Sequence, residues 1–298
     1  MTTPRRPPCS DQSLAREEPM YGTASAGSAW LLLEVEGGWG PSAFLQSPAS
    51  IDPVLGRAIV RRAEAAGMRI AAIRRHGRRS GAPRWRWFVA RADVGRSQMF
   101  HGEVDNAADY LDIDLDGHDG TPATGPLVAV CAHGRHDQCC AVRGRVAAGA
   151  IAAEFPELVW ECSHLGGDRF AATMLILPEG LCYGRVDSTD AAGLVRLYLD
   201  GRLDDRFLRG RTSVPHAVQA AQHFARQTYG DDRIEALPAV AMEGGTGQIR
   251  VVLAREHGNL EVVLDEVVSE PLFSQCSATV AGPVRSFGLH SIAAHPPG

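Results

Sequence analysis

The segment that most constrains this chain reads CAHGRHDQCC and then WECSHLGGDRF. It gathers Cys131, His133, Cys139, Cys140, Cys162, His164 and Asp168. That many potential metal ligands in so short a stretch require a fold that brings two loops together. Cys131 ends an apolar run, 127–130, with strand character, and Cys140 follows near the start of an alanine-rich helical segment, 138–155. A helix N-terminus offers free N–H groups and a positive dipole end, which favours thiolate. His164 and Asp168 flank Leu165-Gly166-Gly167, after the strand-like segment 158–161. The glycines allow tight curvature, so both side chains can face one metal. The pattern predicts two loops at one end of a sheet, each delivering two ligands.

The surrounding elements support that sheet. Apolar runs at 30–35, 68–73 and 85–90 read as strands, and 53–66 carries Val54, Leu55, Ile59 and Ala63 at helical spacing, closed by Gly67. A short helix is expected over 106–113 and a polar linker over 114–125. The pattern restarts with strands at 127–130, 158–161, 172–177 and 181–185, helices at 138–155 and 189–199, and a tight turn at Pro178-Glu179-Gly180. Both halves read as β-α-β-(loop)-β, a thioredoxin-like order. The predicted class is α/β: two thioredoxin-like β-α-β-β-α halves with short mixed sheets, 28–115 and 126–204, plus a small C-terminal α+β region, 205–298. In that region a helix is expected at 214–229, with Ser213 as N-cap and Pro215 in the first turn. A hairpin is expected across His257-Gly258-Asn259. Residues 1–27, rich in Pro, Ser, Gly and charge, are expected to be a flexible lead-in, and the tail AAHPPG to fray.

Composition narrows the functional classes. The net charge of −5 gives no bulk attraction to nucleic acid or anionic lipid. All 30 basic residues are arginine, a usage that fits a GC-rich bacterial genome. The N-terminus has no apolar signal region and the chain has no run of about 18 apolar residues, so a cytoplasmic location is expected. There, seven cysteines point to metal or redox chemistry rather than disulfides.

Zinc fingers usually space cysteines C-x2–4-C, and the longer interval from Cys131 to Cys140 suits a larger object. A binuclear iron–sulfur cluster held by cysteine on one iron and histidine on the other is such an object. At these residues the chain resembles a known family. CAHGRHDQCC, HLGGDRFA and LPEGLCYGRV, with EPMYGTA and RGRTSVPHAVQAA, resemble the sucrase/ferredoxin-like family over roughly 21–222. The resemblance implies a domain similar to thioredoxin-like [2Fe–2S] ferredoxins, with a cluster on two cysteines and two histidines. The cysteines match Cys131 and Cys140, and the first histidine matches His164. The second falls on Asp168, where this chain departs from the pattern. Asp168 is then either a ligand or a hydrogen-bond acceptor beside the ligands, with Cys139 or Cys162 in the fourth position; a member without a cluster is the third option.

The expectation is a cytoplasmic [2Fe–2S] electron carrier with an unidentified redox partner, rather than a stand-alone enzyme, with no nucleic-acid or membrane partner. The alternatives are a thiol–disulfide oxidoreductase, weakened by the absence of C-x-x-C, and a zinc-binding or metal-free interaction module. His133 and His136 suit either hydrogen bonding near the ligands or a solvated loop, and Arg135, Arg143 and Arg169 either a positive rim that attracts an acidic partner or ordinary surface positions. The basic run 74–86, which includes Trp85, suits a solvated loop or one that docks a partner or covers the cluster. Arg209 and Arg211, before Ser213, suit either a helix-start anion site or a plain capped helix. Cys182 reads as structural, and Cys9 and Cys276 as isolated.

Overall fold

The computed structural model describes residues 6–77, 84–244 and 247–296. Its centre is a ten-stranded mixed sheet seeded by apolar runs. β1 (Ala29–Glu34) is buried at every position, as a strand covered on both faces must be. α2 (Pro53–Ala65), after a short N-terminal helix α1 (Cys9–Ala15), leads to β2 (Arg69–Arg74), parallel to β1. Asp52 caps α2 by accepting the N–H groups of Val54 and Leu55. β3 (Arg86–Arg91) and β4 (Gln98–Glu103) continue antiparallel on the far side of β1. The helix expected near 106–113 is a 3-10 turn, Ala107–Leu111, and β5 (Thr121–Pro122) pairs with β4.

The order then returns in β6 (Leu127–Cys131), α3 (Gln138–Ala152), β7 (Val159–Cys162), β8 (Met174–Leu177), β9 (Leu181–Tyr183) and α4 (Ala191–Leu199). β6 and β7 are parallel, and β8 and β9 add antiparallel. Strand order is β2-β1-β3-β4 in the first half and β7-β6-β8-β9 in the second. The two short sheets expected from the sequence are instead one sheet, because β2 and β7 pair antiparallel through Ile73–Cys162 and Arg74–Glu161. Pairing satisfies two strand edges that would otherwise lie open. Arg74 seals the seam with two hydrogen bonds to Glu161, at 3.0 and 2.7 Å, and the Arg75 guanidinium lies 3.8 Å over the Trp160 ring. The start of the basic run thus serves this seam; its residues 78–83 lie outside the described residues.

β10 (Leu208–Arg211) completes the sheet beside β9. LRGR has no strand signal of its own and is a strand because β9 offers it an edge. Val128, Val130, Ala147, Ala148, Ile151 and Val195 build the core between this half of the sheet and helices α3 and α4.

Three expectations are corrected outside the halves. Within the stretch read as a lead-in, α1 buries Cys9, Ser10 and Ser13, and Arg143 reaches it through Asp11 at 2.6 Å. α5 (His216–Tyr229) starts after Pro215, which itself occupies the N-cap position in place of Ser213. Pro215 is extended (ψ 152°) and restricts the residue before it, so the helix cannot begin at Val214. The tail does not fray at its start, because Ala293, Ala294 and His295 continue β14 against β13.

α5 packs Ala217, Ala220 and Ala221 on a second, four-stranded antiparallel sheet of β11 (Ala239–Gly244), β12 (Gln248–Arg255), β13 (Gly258–Val268) and β14 (Arg285–His295). β12 and β13 form the expected hairpin. Among the described residues no helix is long and apolar enough to cross a membrane.

Candidate metal centre

Cys131 closes β6 directly beside Cys162 of β7. The chain leaves the sheet through Ala132–Gly134, and Asp137 caps α3 by accepting the Cys139 N–H at 2.7 Å. α3 lies very close to the end of β6. A Cβ on Gly144 would sit 1.9 Å from the Cys131 carbonyl oxygen. Only glycine permits that approach, and it carries the first turn of α3, with Cys140, over Cys131.

The second loop leaves β7 through Ser163, whose N–H bonds Ala72 and whose hydroxyl accepts the Ala72 N–H. Gly166 and Gly167 follow at φ +94° and +83°, where a side chain would be strained. Arg209, 2% exposed on β10, holds this loop by donating to the Gly166 carbonyl at 2.8 Å and to Thr23. It is part of the scaffold, and Arg211 pairs with Glu235 at 2.6 Å; neither serves the helix-start site considered for them.

The two loops converge. Donor atoms of Cys131, Cys140 and His164 lie within 4.8 Å of one another, and so do those of His136, His164 and Asp168. Asp168 joins the two groups: its Oδ1 lies 3.2 Å from Cys140 Sγ and 2.9 Å from His164 Nδ1, and its Oδ2 lies 3.6 Å from His136 Nε2. The His136 and His164 rings stack at 3.9 Å. His164 Nδ1, His136 Nε2 and Asp168 Oδ2 are nevertheless buried without an aligned hydrogen-bond partner. Three unsatisfied polar atoms in one place carry a desolvation cost that a bound metal would remove. The donor chemistry, two sulfurs and two imidazoles beside a carboxylate, fits a thiophilic metal or an iron–sulfur cluster.

The electrostatics fit the same reading. Cys140 donates toward Cys131, and with His164 this holds the Cys131 thiol well below its ordinary value despite burial. The Cys140 thiol is pushed up in return by the Cys131 thiolate and by burial. Burial pulls His164 down, but Asp168 and Cys131 outweigh it and raise the imidazole to about 9. Burial also opposes ionisation of Asp168, yet His136 and His164 hold its carboxyl far below the usual range.

The remaining candidates divide. Cys162 is fully buried, its thiol pushed up by burial, and it joins neither group of donors. Cys139 turns away from the centre toward Cys9 and Cys276. His133 Nε2 lies 2.6 Å from the Gly40 carbonyl oxygen, fastening its loop to the first half. Arg143 and Arg169 are held by Asp187 and Glu18, at 2.7 and 2.6 Å, so they do not form a bare positive rim. The sequence left His136 as either a hydrogen-bonding neighbour or a solvated loop residue; the structure puts a donor atom of its ring within 4.8 Å of those of His164 and Asp168. Its position four residues before Cys140 is the available signal, because a capped turn there folds the loop back over the helix start.

Comparisons with curated proteins and with solved structures gave no significant match. The family model described as sucrase/ferredoxin-like matches residues 20–210, a span that contains both loops. That is well over half of the 298 residues, and the chain belongs to the sucrase/ferredoxin-like family.

Proposed function

We propose that the two loops hold a [2Fe–2S] cluster and that the protein is a ferredoxin-like electron carrier. The observation that carries this reading is the convergence of Cys131, Cys140 and His164, from two loops, within 4.8 Å. Cys131 and Cys140 supply sulfur, His164 supplies imidazole, and Asp168 is the fourth ligand unless His136 takes that place. An aspartate ligand is hard and anionic, and it lowers the potential relative to imidazole. His136 would restore the two-cysteine, two-histidine set, leaving Asp168 to orient both rings.

The bound group supplies one-electron transfer. The residues do the rest. Cys131 and Cys140 are sealed from solvent, which protects the sulfur ligands. The His136 and His164 side chains are each 27% exposed, so the imidazoles form the face open to a redox partner. The repeated strand order supports reading each half as thioredoxin-like, with ligands only in the second. A cytoplasmic setting, with no nucleic-acid or membrane partner, suits the buried thiols. The absence of C-x-x-C and the burial of Cys131 and Cys140 weigh against a thiol–disulfide enzyme.

The test is an absorption spectrum of anaerobically purified protein with paired iron and acid-labile sulfide counts. The expected result is a coloured protein with equal iron and sulfide, both lost in Cys131→Ser. A colourless wild-type protein without iron or sulfide would refute the proposal, and bound metal without sulfide would indicate a single thiophilic ion instead.

A further inference from the structure

We infer that Cys9, Asp137, Cys139 and Cys276 form a second, separate metal site, which takes one thiophilic divalent cation of the zinc class and ties both ends of the chain to the start of α3. The four donor atoms lie within 4.8 Å of one another. Cys9 Sγ is 3.7 Å from Cys139 Sγ, Cys139 Sγ is 3.2 Å from Cys276 Sγ, and Cys276 Sγ is 3.6 Å from Cys9 Sγ. A tetrahedral ion with metal–sulfur bonds of about 2.3 Å sets its sulfurs about 3.8 Å apart. A disulfide needs about 2.05 Å, so no pair is bonded. Asp137 Oδ2 lies 3.8 Å from Cys9 Sγ and provides the fourth corner.

Three thiols packed merely as small apolar groups would sit among apolar neighbours. These do not. The Ser10 hydroxyl donates to Cys139 Sγ at 3.2 Å, and the Cys9 N–H points at Cys276 Sγ from 3.5 Å. The Asp137 carboxylate, 2% exposed, accepts the N–H groups of Cys139 and Cys276, each at 2.7 Å. Donors aimed at sulfur and an oriented carboxylate are what a thiolate site requires around its ligands. The positive end of α3 offsets part of the negative charge.

The site has a mechanical reason to exist. Cys9 and Cys276 are 267 residues apart in sequence. Arg6 independently draws the same segments together: its guanidinium donates to the carbonyls of Gln275, Cys276 and Ala278 and lies 3.7 Å over the Phe273 ring. Residues 269–284 have no regular strand or helix, only the isolated Leu272–Gly282 bridge, so little else fixes Cys276. A closed four-ligand ion is the structural type of site, distinct from the cluster centre. Cys139 and Cys140 are successive residues in one helical turn, about 100° apart around the axis. One helix start therefore serves two centres on different sides.

The test uses the full chain with cobalt(II) as the spectroscopic probe and zinc for stoichiometry. In a Cys131→Ser background, which disables the first centre, the expected result is about one zinc per chain. Cobalt should give thiolate charge-transfer and tetrahedral visible bands. Adding Cys276→Ser should abolish those bands and weaken zinc retention against a chelator roughly ten-fold or more. Wild-type protein supplies a measurement that needs no variant: alkylation of Cys9 and Cys276, mapped by mass spectrometry, should be slow and become fast once a chelator is added. Absence of zinc and of cobalt bands, or alkylation indifferent to the chelator, would overturn the inference. Wild-type protein without iron or sulfide, together with cobalt bands kept in Cys131→Ser, would refute the cluster and leave this site standing.

Discussion

Gly144→Ala tests the link between helix packing and the metal centre. On an unconstrained helix, glycine to alanine stabilises by about 1 kcal/mol. Here the added Cβ would lie 1.9 Å from the Cys131 carbonyl oxygen and 2.9 Å from its carbon. Ordinary contact begins near 3.4 Å, so α3 must withdraw from β6 by roughly 1.5 Å. The obstacle is backbone, which cannot rotate away, and overpacking of this kind costs about 1–3 kcal/mol. Taking the upper end and subtracting the propensity gain leaves a net loss of about 2 kcal/mol. Gly149→Ala on the same helix is the control: its Cβ meets only the end of the His76 side chain, at 3.3 Å, so that variant should be neutral or up to about 1 kcal/mol more stable. Urea unfolding of wild type and both variants reads the difference as midpoints at constant slope. Metal content should fall in Gly144→Ala alone, because α3 carries Cys140 away from Cys131. If Gly144→Ala is as stable as Gly149→Ala and retains its metal, the close approach of α3 is not what assembles the site.

Two further outcomes are expected. Arg209→Met leaves the Gly166 and Thr23 carbonyls without their buried donor, and unfolding should show a loss of about 3 kcal/mol; a change below about 0.5 kcal/mol would mean that the Gly-Gly loop needs no such anchor. In metal-free protein His164 holds its proton up to about 9, above the ordinary histidine value of about 6.5. Its ion pair with Asp168 therefore supports the metal-free fold fully below pH ~6.5 and is lost as pH rises through about 9. Metal binding must displace that proton, so affinity should climb with pH up to about 9, with proton release on binding; competition titrations with zinc across this range would expose a flat, contrary profile.

How much was legible in the sequence follows from how local each signal is. α2 and the β12–β13 hairpin could be read because the spacing of Val54, Leu55, Ile59 and Ala63, the stop at Gly67 and the turn at Gly258 act within a few residues of themselves. The mixed α/β class could be read because apolar runs alternate with helical segments in both stretches. Cys131, Cys140 and His164 stood out because each borders an element whose end was visible. β10 was invisible, since LRGR becomes a strand only when β9 supplies an edge. The donor position of His136 was equally hidden, because it depends on how the loop folds across α3.

By itself the sequence determined the orders β1-α2-β2-β3 and β6-α3-β7-β8-β9-α4, the family and the two loops that carry sulfur and imidazole, all of which rest on neighbours along the chain. Only the tertiary structure decided that the halves share one sheet, that Cys139 faces away from Cys140's centre, and that Cys9 and Cys276 meet it. Those outcomes depend on strand edges and side-chain directions brought together across long separations, and chain spacing carries no record of them.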